Sequence, residues 1–158
     1  MQIRIRATGQ VLLEHEWIKW VATTYAKSIS AMTADIYDRF DSDAVFEGAQ
    51  ATGGTVYQYS QRDGVEQQSD GKWYTKYILG PVFTDGETTA AEQEAAYKAQ
   101  KDIEQAASVR TSRTDKLKDC DWTQISDSTA DKAAWATYRQ ALRDVTKQAG
   151  FPWSVEWP

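Results

Sequence analysis

Few residues of this chain are of the types that do chemistry. His15 is the single histidine, flanked by Glu14 and Glu16. Residues adjacent in sequence do not converge on one point, so the imidazole reads as a surface residue and not a general base. Cys120 is the single cysteine. It has no second thiol or nearby imidazole to share a metal, no partner for an internal disulfide, and the usual part of a small packing residue. Asp35, Asp38, Asp41 and Asp43 gather acid in one stretch, but the ligand order of a calcium loop is absent and a solvated helix end is the expected reading. Gly53-Gly54 lacks the lysine and spacing of a phosphate-binding loop. Among 23 acidic residues nothing singles out a glycosidase pair. The expectation is a binding or structural protein, not an enzyme, with no catalytic residue, metal or cofactor.

What positions such a surface has to come from a chain of 158 residues, 41% apolar, enough for one domain or two small modules. Seven tryptophans and eight tyrosines stand out. Aromatic side chains build compact clusters from few residues and also anchor interfaces, and the core is expected to take most of them. A net charge of −5 without a Lys/Arg run argues against nucleic acid as partner. The longest apolar runs, near Val11–Leu13 and Tyr77–Phe83, are strand-sized, so no membrane span is expected. Met1 leads directly into the alternating Gln2-Ile3-Arg4-Ile5-Arg6, unlike a signal peptide. Synthesis in the cytosol is expected, with no need of an oxidising compartment.

The predicted fold class is α+β, in two modules: residues 1–86, an α+β module, and 87–158, a helical arm with a Trp-rich end. Ile3, Ile5 and Ala7 alternate with polar residues as in a half-buried strand, and Val11–Leu13 returns as the second strand of an N-terminal hairpin. Trp17, Trp20, Val21, Thr24 and Tyr25 share a face of a helix from Glu14 to about Ser30. A short helix follows Thr33, a good N-cap, with Ile36, Tyr37 and Phe40 on one side. Val45-Phe46-Glu47-Gly48 reads as an extended exit. Asp-Gly pairs at 63–64, 70–71 and 85–86 are tight-turn signals, and they divide residues 52–84 into a small antiparallel meander.

From Thr89, with Glu92 in capping-box spacing, a polar helix is predicted to about Leu117. At about 45 Å it reads as an arm, or as one member of a bundle completed by other chains. A second helix begins near Ser128 with the stripe Trp135, Tyr138, Ala141, Leu142, Val145 and Ala149. Gly150 and Pro152 stop it. The two helices pair as a hairpin, and the last eight residues lie as an extended tail.

This end of the chain carries a recognisable order: Arg113 to Leu117, the turn Asp121-Trp122-Thr123-Gln124, the helix Trp135 to Asp144, then Phe151-Pro152-Trp153. It resembles the pattern of phage tail assembly chaperones and tail fibre assembly accessory proteins over roughly the last 45 residues. Segments from Val45 to Phe83 also resemble stretches upstream of that pattern in small phage tail-region proteins. The resemblance implies a bacteriophage tail protein that binds the tail fibre, a trimeric one in the assembly reading. It implies work in the host cytoplasm during assembly. The protein then either leaves the fibre as a chaperone or stays in the virion tail as a minor fibre or baseplate component, the retained version being the one expected. Trp122, Trp135, Tyr138, Trp153 and Trp157 are the expected partner-binding residues, the first four packing as one aromatic cluster. The alternative is a receptor-recognition module in which Tyr57, Tyr59, Trp73 and Tyr77 stack on carbohydrate.

Overall fold

The computed structural model describes residues Met1–Pro158 and is α+β. The chain divides into two compact units, Met1–Val82 and Phe83–Pro158.

The first unit opens with the expected hairpin. β1 (Gln2–Ile5) pairs antiparallel with β2 (Val11–Leu13). Gly9 takes φ +72 in the turn, where its N–H donates to the Ile5 carbonyl at 2.8 Å. α1 (Glu14–Tyr25) follows at once. Glu16 reaches back to the Leu13 N–H at 2.8 Å, satisfying one of the donors a helix start leaves open. This helix is shorter than expected, because Ala26 turns into the left-handed region at φ 53. Ile29 and Met32 beyond it still pack on the core. α2 (Ala34–Arg39) starts after Thr33, whose carbonyl accepts from the Ile36 and Tyr37 N–H groups at 3.1 and 3.0 Å while its hydroxyl makes no capping bond.

β3 (Ser42–Phe46) is a full strand of the sheet where only an extended exit over Val45–Gly48 is expected. It lies at the centre of a single five-stranded sheet of order β2-β1-β3-β5-β4, antiparallel to β1 and parallel to β5. Its first residue, Ser42, is fully buried, which breaks the apolar alternation by which a strand is recognised. The hydroxyl is satisfied there: Trp17 Nε1 donates to Ser42 Oγ at 2.9 Å, and Ser42 donates to the Phe40 carbonyl at 2.9 Å. Around this pair Trp17, Tyr37 and Phe40 meet edge-on at 5.6 and 6.0 Å and close over Ile3 and Ile5.

β4 (Tyr59–Gln67) and β5 (Trp73–Gly80) replace the expected three-strand meander with one long hairpin. Asp70-Gly71 turns it, with Gly71 at φ +77. Asp63-Gly64 does not turn the chain. The register shifts between Arg62 and Val65, so the pair makes a bulge, Gly64 supplying φ +81 within β4. Before β4, Gly48 crosses so close to β5 that a Cβ there would lie 1.9 Å from the Thr75 carbonyl oxygen. Its N–H donates to Thr75 Oγ1 at 2.7 Å.

In the second unit, α3 (Ala90–Asp119) begins where its capping box predicts: Thr89 is the N-cap, and its N–H donates to Glu92 at 2.9 Å. Only Ala106 and Val109 of this helix are buried apolar residues, as the thin apolar content of the segment implies. A 3₁₀ turn, Asp121–Gln124, leads to α4 (Lys132–Asp144). This helix starts four residues later than predicted, because Asp131 and not Ser128 caps it, accepting from the Ala133 and Ala134 N–H groups at 3.0 Å. Val145–Lys147 continues it as a 3₁₀ turn. The segment expected to lie extended instead begins as a turn at Phe151–Ser154, with the Ser154 N–H on the Gly150 carbonyl at 2.7 Å.

Candidate partner-binding surface

The hairpin of α3 and α4 is held by a residue that apolar periodicity hides. Arg139 sits on the inward stripe of α4 between Trp135 and Leu142 and is 9% exposed. Its Nη1 donates to the Leu117 carbonyl at 2.8 Å and to Cys120 Sγ at 2.9 Å, and its Nη2 meets Asp121 at 2.8 Å. One guanidinium thus closes the end of α3 and ties it to the 3₁₀ turn, a spread that the compact ammonium of a lysine lacks. Asp121, foremost, and Cys120 hold its pKa above the ordinary arginine value, against the opposing effect of burial. Ala141 and Ala149, expected on the stripe, are exposed; Leu142 and Val145 are fully buried.

Around that clasp the four residues expected to pack together, Trp122, Trp135, Tyr138 and Trp153, do not gather as one cluster. Trp122 meets Trp135 edge-on at 5.9 Å, and Trp135 meets Tyr138 edge-on at 5.5 Å. Trp153 lies elsewhere. Its indole N–H donates to Asp102 at 2.5 Å, while Phe151 lies under the Arg110 guanidinium at 5.3 Å and Pro152 accepts from Gln105. The tail therefore descends α3 in antiparallel order, from Arg110 to Gln105 to Asp102. It then folds back: Gln148 bonds both the N–H and the carbonyl of Glu156, and Trp157 comes beneath Lys116 at 5.3 Å. The reason for the split is the Phe151–Ser154 turn, which directs Trp153 away from the α4 start.

Exposure separates the roles of these rings. Trp122 is 54% exposed, and so is Ile125, three residues on. Trp157 is 36% exposed, whereas Trp135, Tyr138 and Trp153 are half-buried. Ile125 was missed in the sequence because it falls between two elements and belongs to no periodic face. The surplus of tryptophan is also less of a core feature than expected: Trp17 alone is fully buried.

The rings proposed for sugar stacking are dispersed. Trp73 is half-buried beneath Arg4, whose guanidinium stands 3.9 Å from the ring centroid, and the Tyr77 hydroxyl donates to Glu47 at 2.5 Å. Tyr59 pairs with Gly80 and Arg62 with Tyr77, so strand alternation puts Tyr59 on the opposite face from Trp73 and Tyr77. An open depression of about 540 Å³ beside α2 holds Met1, Phe46 and Trp73. Within it Arg6 bonds Asp38 at 2.7 Å and Asp43 at 2.8 Å. No helix is long and apolar enough to cross a membrane.

Fold and surface together define an α+β protein whose second unit is a helical hairpin with uncovered aromatic residues at its turn. Residues 106–158 match the model of the family described as phage tail assembly chaperone protein. The match covers the second half of α3, the 3₁₀ turn, α4 and the tail, and it supports a role in phage tail assembly and contact with phage tail proteins. No curated protein and no solved structure matches the chain.

Proposed function

We propose that this protein binds a phage tail fibre through the turn of its helical hairpin and acts in fibre folding or assembly without enzymatic chemistry. It works in the host cytoplasm and stays in the virion tail as a minor fibre or baseplate component. The observation that carries the reading is the exposed Trp122, set edge-on against Trp135 and placed within the stretch that matches the chaperone family. A large aromatic ring packed on a neighbour, with half its area open, is the kind of residue that dominates binding energy at interfaces. Trp135 supports it edge-on, Tyr138 packs in turn on Trp135, and Trp157 adds a second open ring. A receptor-recognition role is less supported: Trp73 and Tyr77 share a face, but Tyr59 lies on the other and the Trp73 ring is covered by the Arg4 guanidinium.

Co-expression with the fibre gene tests the reading. Soluble trimeric fibre rises with the intact chain and falls when Trp122→Ala replaces it; an equal yield without any copy of this protein rejects the assembly role. Mass spectrometry of purified virions tests retention, which requires a fixed copy number per particle.

A further inference from the structure

We propose that α3 carries, on the face marked by Ile103, the seam of a two-fold antiparallel pairing with a second copy of this chain. Ile103 is 64% exposed, more than any other large apolar side chain left open. At 100° per residue its helical neighbours on that face are Glu92, Ala96, Ala99, Ala107 and Arg110, all exposed. The contacts of the tail fall to one side, at Asp102 and Gln105, with Arg110 at the border. Alanines on both sides of one isoleucine let two helix backbones approach to about 8 Å.

Charge selects the occupant. Residues 90–104 carry Glu92, Glu94, Asp102 and Glu104 against Lys98 and Lys101, so the first half of α3 is acidic. Residues 105–119 carry Arg110, Arg113, Lys116 and Lys118 against Asp115 and Asp119, so the second half is basic. A helix with opposite charge on its two halves complements its own copy in antiparallel alignment and opposes it in parallel.

Register sharpens the argument. An isologous contact places each residue against its mirror position about the axis. With the axis at Ile103, the isoleucine meets its copy and Ala99 meets Ala107. Glu92 falls opposite Thr114, between Arg110 and Lys118, which stand one helical turn to either side. The symmetry makes two such acidic–basic groups, one at each end of an alanine-lined centre. This seam is separate from the Trp122 surface and stands or falls without it.

The test is the mass of the full chain by sedimentation equilibrium over a range of concentrations, with a short bis-maleimide cross-linker for register. Ile103→Lys is expected to raise the dimer Kd by roughly tenfold or more, with helicity unchanged, and with the melting temperature unchanged at concentrations where both chains are monomeric, because the side chain is exposed. Ala99→Cys mixed with Ala107→Cys is expected to cross-link into dimer, and either variant alone to cross-link weakly; Cys120 is buried, and the unsubstituted chain is the control. A monomer at every concentration, a dimer insensitive to Ile103→Lys, or cross-linking of Ala99→Cys with itself overturns the proposal.

Discussion

Arg139 donates through Nη1 to the carbonyl oxygen of Leu117, 22 residues earlier, at 2.8 Å. That bond ends one helix with a side chain from the next. The carbonyls of a last helical turn have no partner within the helix, and here a charged donor supplies one.

Removing it should loosen the hairpin. Arg139→Ala removes the bonds to the Leu117 carbonyl, Cys120 and Asp121 together, leaving the carbonyl only the long Cys120 N–H bond at 3.3 Å and the thiol, and is expected to lower the melting temperature by roughly 5–10 °C. Amide exchange at residues 115–121 should accelerate with it. Arg139→Lys should recover only part of the loss, since an ammonium is a point charge without the planar fork that reaches Leu117, Cys120 and Asp121 together. Equal melting of all three proteins would remove Arg139 from this role.

In the first unit the matching experiment is at Trp17 and Ser42. Trp17→Ala empties the core and should cost about 3–5 kcal/mol in urea unfolding. Ser42→Ala leaves the indole N–H buried without an acceptor and should cost about 1–3 kcal/mol. The two changes share one hydrogen bond, so the double variant should lose less than the two costs combined.

Gly48→Ala addresses the crossing above β5. The methyl group would meet the Thr75 carbonyl at 1.9 Å, a backbone atom that cannot swing aside. An overpacking cost of about 1–3 kcal/mol is expected, with exchange protection lost first at Val45–Phe46 and Trp73–Thr75. Gly64→Ala meets no atom within 4 Å, and its cost should come from the positive φ alone.

Trp122→Ala should separate binding from folding. More than half of the ring is exposed, so stability should stay within about 0.5 kcal/mol of the parent. Affinity for the tail fibre should fall by roughly thirtyfold, the mark of an aromatic anchor. Surface plasmon resonance and a thermal melt on the same preparation check both halves. A melting temperature that falls with the affinity would show the ring to be structural.

Acid should open the start of α3. Bonds from the Thr89 N–H, first, and the Thr89 hydroxyl hold the Glu92 carboxyl below its ordinary 4.5. A carboxyl whose folded pKa is lowered adds stability above the unfolded value and loses it as pH falls through the folded one. The first turn of α3 should therefore hold from about pH 7 down to the ordinary carboxyl value and fray only below it, as pH falls through the folded value. Glu92→Gln should be less stable than the parent at the upper pH and equal to it at the lower, read from exchange at residues 90–93.

How much of this was legible depended on whether a signal was local. Thr89 and Glu92 announce α3 because a capping box is written within four residues, and Asp70-Gly71 announces its turn for the same reason. Asp63-Gly64 carries the same dipeptide and makes a bulge, because the sheet continues past it; the distinction lies in β5, not in the pair. β3 was hidden by Ser42, whose burial depends on an indole 25 residues away. Arg139 was hidden too. Its position on the α4 stripe is evident, but its carboxylate partner, Asp121, lies in the preceding turn and not on the same helix. The aromatic surface was half legible: the residue types were evident, and the separation of Trp153 from Trp122 followed from a turn that composition does not mark.

The bulge in β4 has a consequence for the first unit as a whole. A sheet with two free edges offers a template for strands of other chains, and proteins that stay dispersed blunt such edges. Here one edge, β2, has three residues, and the other is interrupted at Asp63-Gly64 with charged Arg62 and Glu66 beside the break. A foreign strand finds no straight run of more than a few residues to pair with. Resistance to edge-to-edge strand pairing is thus written into the first unit.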